Sequence, residues 1–309
     1  SFAALQIMME RLLSAFGRAD LTMIPMLTGA VVNIILDPIM IFGWLGCPAM
    51  GITGAGIATE LGQAAAAVVG LLLNLRFNKE VHISRAAFRP SGEVIGAIVK
   101  IGVPVALSNC LISVSTFGMN NILLRLSALA PGIYVVYIRL QSFVIMPSGG
   151  MSSAGISIIA YNYGAKERQR ILDTLKVSLR VNLVIAIVGM LIFLLFPRQL
   201  LTMFNASEDM MAIGIPALRI IAAALVLTTT TQILSGFLQA LSQGTASFII
   251  AIGQAVFLLV SAWLLSLTGQ TALVWLSFPI MELLRFILAV FFVSRTYTSK
   301  LAVLRPQAA

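Results

Sequence analysis

Charge is scarce in this chain: of its 309 residues only 10% are Asp, Glu, Lys or Arg. A water-soluble domain of this size clothes itself in far more charge, so the scarcity argues against one. Histidine occurs once, at His82, and cysteine twice, at Cys47 and Cys110. None of these stands at metal-ligand spacing, which excludes a zinc site, a disulfide framework and a His-based catalytic triad. A glycine-rich phosphate loop and paired acids at a membrane face are also missing, which leaves an enzyme little to work with. No cofactor and no metal are expected. Cations outnumber acids, 20 to 11, but they fall in short clusters between apolar runs. That arrangement answers to membrane topology and not to nucleic acid.

What the chain has in abundance is apolar surface, with 59% hydrophobic residues and a mean hydropathy of +1.01. Residues 1–16 read as the tail of a helix that stops at Ala15, Phe16, Gly17 and Arg18, where a glycine and a cation end it at a membrane face. The chain opens on Ser1 already inside this apolar segment, so its front is expected to be cut. A hydrocarbon layer of about 30 Å needs roughly 20 residues of helix to cross it. Runs of that length follow at 21–43, 51–75, 95–124, 132–160, 174–197, 213–239, 246–267 and 272–294. The fold class is therefore an all-α polytopic membrane protein of about eight complete transmembrane helices plus one partial helix.

The longest polar interval separates two bundles. Residues 1–78 form the first, 79–94 the linker with Pro90, Ser91 and Gly92, 95–298 a six-helix second bundle, and 299–309 a tail. Leu13, Ser14, Ala15, Phe16, Gly17 and Arg18 resemble Leu238, Gln239, Ala240, Leu241, Ser242 and Gln243, and each stretch precedes a pair of spans. Parallel six-helix repeats occur in transporters, and by this echo the first bundle lacks its first three helices and part of the fourth. Basic residues at 11–18, 76–100, 166–180 and 295–305 share one side, whereas only Arg125 and Arg198 lie near the other. The positive-inside rule puts the crowded side, and with it the C-terminus, in the cytoplasm.

Polar side chains inside the apolar runs are the candidate functional residues. Asn33 and Asp37 are four residues apart and share one helix face. Placing a carboxylate at mid-bilayer costs about 2.5 to 3.5 kcal/mol on insertion scales, so such an acid faces a polar cavity or carries a proton. Pro38 has no N–H for the carbonyl of Ile34, which adds an open acceptor to the pocket. The structural alternative is that Asn33 and Asp37 only tie neighbouring helices together. Glu60, beside Thr59, is a second embedded acid. Small residues at Gly51, Gly54, Ala55 and Ala58 suit close helix packing.

In the second bundle, Asn109, Ser113, Thr116 and Asn120 recur at helical spacing and make one polar stripe. Pro104, Pro147, Gly149 and Gly150 mark places where a span can bend, near Arg139 and Gln141. Tyr161 to Arg168 reads as a helix end with a left-handed Gly164, then a charged surface helix. Thr228, Thr229, Thr230, Thr231 and Gln232 interrupt one apolar run. Pro279, Glu282 and Arg285 sit inside the last, where Glu282 and Arg285 can pair.

Taken together, Asn33-Ile34-Ile35-Leu36-Asp37-Pro38, Gly54-Ala55-Gly56-Ile57-Ala58-Thr59, Gly102-Val103-Pro104 and Tyr161-Asn162-Tyr163-Gly164-Ala165-Lys166 resemble the multidrug and toxin extrusion (MATE) family, in the same order. The resemblance runs from about Leu12 to Arg295. The tyrosine-rich turn and Arg139-Leu140-Gln141-Ser142-Phe143 look most like the bacterial subgroup that includes MepA. It implies a MATE-type fold of two six-helix lobes around a central cavity, and export of lipophilic, cationic compounds against protons or sodium. This chain would hold the last part of the N-lobe and the whole C-lobe.

Carried over onto matching positions, the resemblance gives Asn33, Asp37 and Thr59 proton-coupling roles. Glu60, Asn109, Ser113, Asn120, Arg139, Gln141, Glu282 and Arg285 become the substrate-cavity candidates. Sodium-coupled members carry an acid in the seventh helix, but none occurs between Gly102 and Leu124 here, so the proton gradient is the expected driving ion. The expected setting is a bacterial inner membrane, with the bilayer and small lipophilic cations as partners, no nucleic acid, and a monomer. Two alternatives stay open: a flippase for lipid-linked saccharides or other amphiphiles, and a transport-incompetent fragment.

Overall fold

The computed structural model describes residues 2–15, 18–78 and 91–301, all of it helix and connecting turns with no strand among the described residues. It divides into two compact units, Ser1–Pro90 and Ser91–Ala309. Most of the expected linker, 79–90, and the tail from 302 onward lie outside the described residues, as do Phe16 and Gly17 of the first helix stop.

In the first unit α1 (Phe2–Ala15) and α2 (Ala19–Phe42) both pack against α3 (Gly51–Phe77). The buried face of α3 is a ladder of small residues four apart: Gly54, Ala58, Gly62, Ala66 and Gly70, ending in Asn74. Small side chains let backbones approach, which is how helices associate where hydrocarbon removes the hydrophobic drive. A Cβ on Gly62 would stand 2.8 Å from the Gly29 carbonyl oxygen, and one on Gly54 would overlap the Met40 carbonyl. Of the four small residues expected to pack, Gly54 and Ala58 are buried, whereas Gly51 is exposed and Ala55 half-buried. A step of four keeps residues on one face, and Gly51 and Ala55 lie off the ladder. At its foot, the Asn74 amide donates to the Met9 carbonyl at 3.0 Å and the Gly70 carbonyl at 2.8 Å.

The second unit comprises α4 (Gly92–Leu126), α5 (Ala130–Gly164), α6 (Arg168–Leu195), the short α7 (Pro197–Thr202), α8 (Glu208–Ala240), α9 (Gly244–Ser266), the short α10 (Thr271–Val274) and α11 (Ser277–Thr296). Helix α8 is buried on nearly every side, packed against α5, α6 and α11. Beside it Tyr134, Tyr137, Trp275 and Phe278 form an aromatic cluster with neighbouring ring centroids 5.1 to 6.3 Å apart. Seven helices among the described residues are long and apolar enough to cross a membrane. The eighth expected span, 95–124, falls in α4, where the apolar stretch described is Cys110–Leu126. Large apolar side chains such as Ile34, Leu72, Phe117, Phe143 and Leu195 stand exposed on the long helices, an arrangement suited to hydrocarbon and not to water.

Two expectations at the junction of α5 and α6 are corrected, whereas two features of the apolar runs are accommodated within their helices. The Thr228–Gln232 run interrupts the apolar sequence but sits within a continuous α8, as one span over 213–239 requires, because Thr228, Thr229 and Thr230 hydroxyls donate to the carbonyls of Ala224, Leu225 and Val226 one turn back, at 2.9, 3.0 and 2.6 Å. Pro279 lies inside the last apolar run, in the first turn of α11. It has no N–H for the Trp275 carbonyl, which instead accepts from Phe278 at 3.3 Å in a tighter turn. At the end of α5 the left-handed residue is Lys166 (φ 61°) and not Gly164. The Glu167 N–H reaches back to the Asn162 carbonyl at 2.9 Å and the Lys166 N–H to Tyr163 at 3.2 Å, so the turn closes one residue pair later. The charged stretch after it is no separate surface helix; it is the first turns of α6.

The same kind of stop ends α8, where the Gln243 N–H returns to the Leu238 carbonyl at 2.8 Å and Ser242 is left-handed. In the first unit the Arg18 N–H returns to the Leu13 carbonyl at 3.0 Å. Leu13 and Leu238 are both fully buried. The two echoing stretches thus share this return hydrogen bond.

Candidate functional sites

The first candidate site lies on the facing sides of α2 and α3, just above the closest approach of the two helices. The absence of side chains at Gly29 and Gly62 draws α3 against the Asn33 side chain: a Cβ on Gly62 would stand 3.2 Å from that of Asn33. The Asn33 amide donates toward the Asp37 carboxylate at 3.4 Å and toward the Thr59 hydroxyl at 3.4 Å. Thr59 in turn donates to the Ala55 carbonyl at 2.8 Å. Both amide contacts are at the long end of hydrogen-bond range. Asp37 is half-buried and Thr59 exposed, so the carboxylate is held without being enclosed. Glu60 is exposed and stands outside this cluster. Gln63, one turn beyond Thr59, has a buried side-chain oxygen without a partner. Its position four residues after Thr59 was the sequence signal for it.

The second lies within the C-terminal unit. Arg285 donates from one terminal nitrogen to both carboxylate oxygens of Glu282, at 3.3 and 3.4 Å. Glu282 is 2% exposed, with Thr228 and Tyr137 beside it. Arg285 also borders a cavity of about 620 Å³ built from α4, α5, α8, α9 and α11. Apart from Arg285, its polar lining is uncharged: Ser115, Ser152, Ser153, Gln232, Ser235, Gln239, Ser247 and Gln254. Gln239 donates to the Ser247 hydroxyl at 3.0 Å, which donates to the Ser235 carbonyl at 3.2 Å. The Ser235 hydroxyl and the inner guanidinium nitrogen of Arg285 are buried without partners. These groups offer a guest hydrogen bonds and one positive charge.

Of the remaining candidates, Ser113 and Arg139 are exposed, and Asn120 and Gln141 are half-buried, Gln141 beside Tyr137. None of the four lines this cavity. The side chain of Asn109 lies outside the described residues. Helix α4 turns Leu111, Ile112 and Ser115 to the cavity, roughly a third of a turn away from the Asn109–Asn120 stripe. The cavity's serines and glutamines went unread as a set, although Gln232, Ser235 and Gln239 recur at helical spacing, as do Ser247 and Gln254. Each stripe is short and uncharged, and only the packing of four helices brings these side chains together.

A MatE family model matches residues 104–264, more than half of the chain. Multidrug export protein MepA of Staphylococcus haemolyticus (strain JCSC1435) is 29% identical over 293 residues, covering 94% of this chain and 64% of that protein. MepA of Staphylococcus aureus (strain MSSA476) is 27% identical over 275 residues, covering 89% and 60%. The chain therefore spans less than two thirds of the length of these curated relatives. Among solved structures, MATE in complex with MaL6 superposes with a TM-score of 0.85 at 23% identity, over 97% of this chain and 67% of that one. An outward-facing multidrug resistance MATE family transporter of the MOP superfamily gives 0.83 at 24%, over 94% and 64%. The fold is thus shared along almost the whole chain, and with the family model laid over more than half of it, this multi-pass membrane protein belongs to the MatE family, the multidrug and toxin extrusion transporters, whose members are not enzymes.

Proposed function

We propose that the protein is a secondary active multidrug exporter that exchanges lipophilic cations for protons by alternating access, with Asp37 as the group that takes up and releases the proton. The observation that carries this reading is the Asn33 amide reaching both Asp37 and Thr59 at 3.4 Å around a carboxylate that stays accessible. The amide donates toward the carboxylate. When Asp37 gains a proton that donor is free to turn wholly to Thr59, so the charge state of one side chain changes how α2 is tied to α3. A cationic cargo and a proton compete for the same negative charge, which couples their movements. One charge crossing 100 mV supplies about 2.3 kcal/mol. The name of the relatives, multidrug export protein, supports the cargo class. The clustering of cations supports a cytoplasmic C-terminus in a bacterial inner membrane, and the protein is taken to work as a monomer.

The experiment is proton-gradient-driven efflux of a fluorescent lipophilic cation from cells expressing the protein, with Asp37→Asn beside the unaltered form. Loss of efflux at unchanged expression is expected; unchanged efflux overturns the role of Asp37.

A second reading has one observation in its favour. Among the described residues, Arg285 is the only charged one lining the C-terminal cavity, which suits an anionic headgroup and hence an amphiphile flippase of the same superfamily. Translocation of an anionic amphiphile in vesicles, with lipophilic cations left behind, would favour it over drug export.

A further inference from the structure

The groove between α5 and α6 has no part in either site above. It encloses about 450 Å³ beside the charged turn that joins the two helices, and Met151, Ile158, Asn162, Arg170, Asp173 and Ser178 are among its lining. We propose that it binds a membrane phospholipid whose headgroup carries both a phosphate and a primary amine.

Two buried polar atoms ask for a partner. Asn162 is 6% exposed and its amide nitrogen is already committed to the Ile158 carbonyl at 2.8 Å. That bond fixes the amide oxygen as the free end, and this oxygen has no partner. Ser178 is 2% exposed and its hydroxyl is likewise unpartnered. A buried acceptor left unmatched costs about 1 to 3 kcal/mol, so a donor is wanted there. The charged groups at the groove differ. Asp173 is engaged, by Gln169 at 3.0 and 3.1 Å and by Lys176 at 3.7 Å. Arg170 makes no ion pair among the described residues. The groove therefore presents a free guanidinium for a phosphate and a buried amide oxygen for an N–H donor. An ammonium has three N–H groups and meets the second demand. Met151, Ile158 and Val177 supply an apolar wall along which acyl chains can lie, at the end of the helices where headgroups sit. Inorganic phosphate satisfies Arg170 alone and has nothing to place on the apolar wall.

The test is native mass spectrometry of the protein purified in mild detergent and offered dioleoyl phosphatidylethanolamine, dioleoyl phosphatidylglycerol with the same tails and no amine, or inorganic phosphate. Preferential retention of the ethanolamine lipid is expected. Asn162→Leu and Arg170→Gln should each lower it about tenfold, the scale of one charge-assisted hydrogen bond, whereas Lys176→Gln should leave it unchanged. Should Asn162→Leu fail to fold, Ser178→Ala, which removes a single oxygen, takes its place beside Arg170→Gln. Equal retention of the two lipids, competition by phosphate alone, retention untouched by the groove variants, as for a groove holding only water, or an equal loss in Lys176→Gln would each overturn the proposal.

Discussion

Two of the embedded acids of this protein, Asp37 and Glu282, sit in opposite circumstances. Asp37 on α2 is half-buried, and a single amide shared with Thr59 approaches it at 3.4 Å. Glu282 on α11 is 2% exposed and faces the Arg285 guanidinium with both oxygens. A carboxylate with one long contact and an open side can exchange a proton with its surroundings. A carboxylate enclosed with its own cation neutralises a charge that the membrane interior would otherwise reject. The same contrast runs through the packing: the first unit is held by backbones drawn together at glycines, the second by an aromatic cluster around a buried helix.

The largest expected effect tests the exchange role directly. Asp37→Asn should reduce gradient-driven efflux to that of cells without the protein, whereas Glu282→Gln should retain part of it; the opposite order in the efflux assay would reverse the comparison. Next comes the cost of unpairing the buried acid. Arg285→Leu should lower stability by about 3 to 5 kcal/mol, and adding Glu282→Gln should restore most of it. Thermal unfolding in detergent reads both, and a small loss in the single variant would mean that Glu282 does not need its partner. A smaller effect, about 1 to 3 kcal/mol, is expected for Gly54→Ala, whose new methyl group meets the Met40 carbonyl. Gly56→Ala, with open space around it, should change stability by less than about 0.5 kcal/mol. If both alanines are tolerated alike, close backbone approach is not what holds the first unit. The smallest effect is expected in the cavity wall, where Ser247→Ala removes its links to Gln239 and to the Ser235 carbonyl and should cost about 1 kcal/mol by the same measurement.

Much of this was legible from local rules. Asn33 and Asp37 meet because four residues on a helix make one face, and Glu282 and Arg285 pair across three for the same reason. Thr59 joined them through the family resemblance and not through spacing. The polar stripe of α4 shows where local reading stops: its period was right for a helix, yet the helix turns Ser115 and not Ser113 to the cavity, a rotation set by its packing on α9. The threonine run interrupts the apolar sequence without breaking the helix, because its hydroxyls bond the preceding turn.

The sequence by itself determined the environment and the spans, because apolar runs of sufficient length have no other stable setting and a backbone in hydrocarbon must satisfy its own hydrogen bonds as helix. It also determined which acids were worth attention, since a charge costs most where the surroundings are oily. Only the tertiary structure decided which of those acids is enclosed and which is left open, and which serines and glutamines share one cavity. Those outcomes depend on how far each helix is rotated against its neighbours, and that rotation is fixed by contacts between residues far apart in the chain.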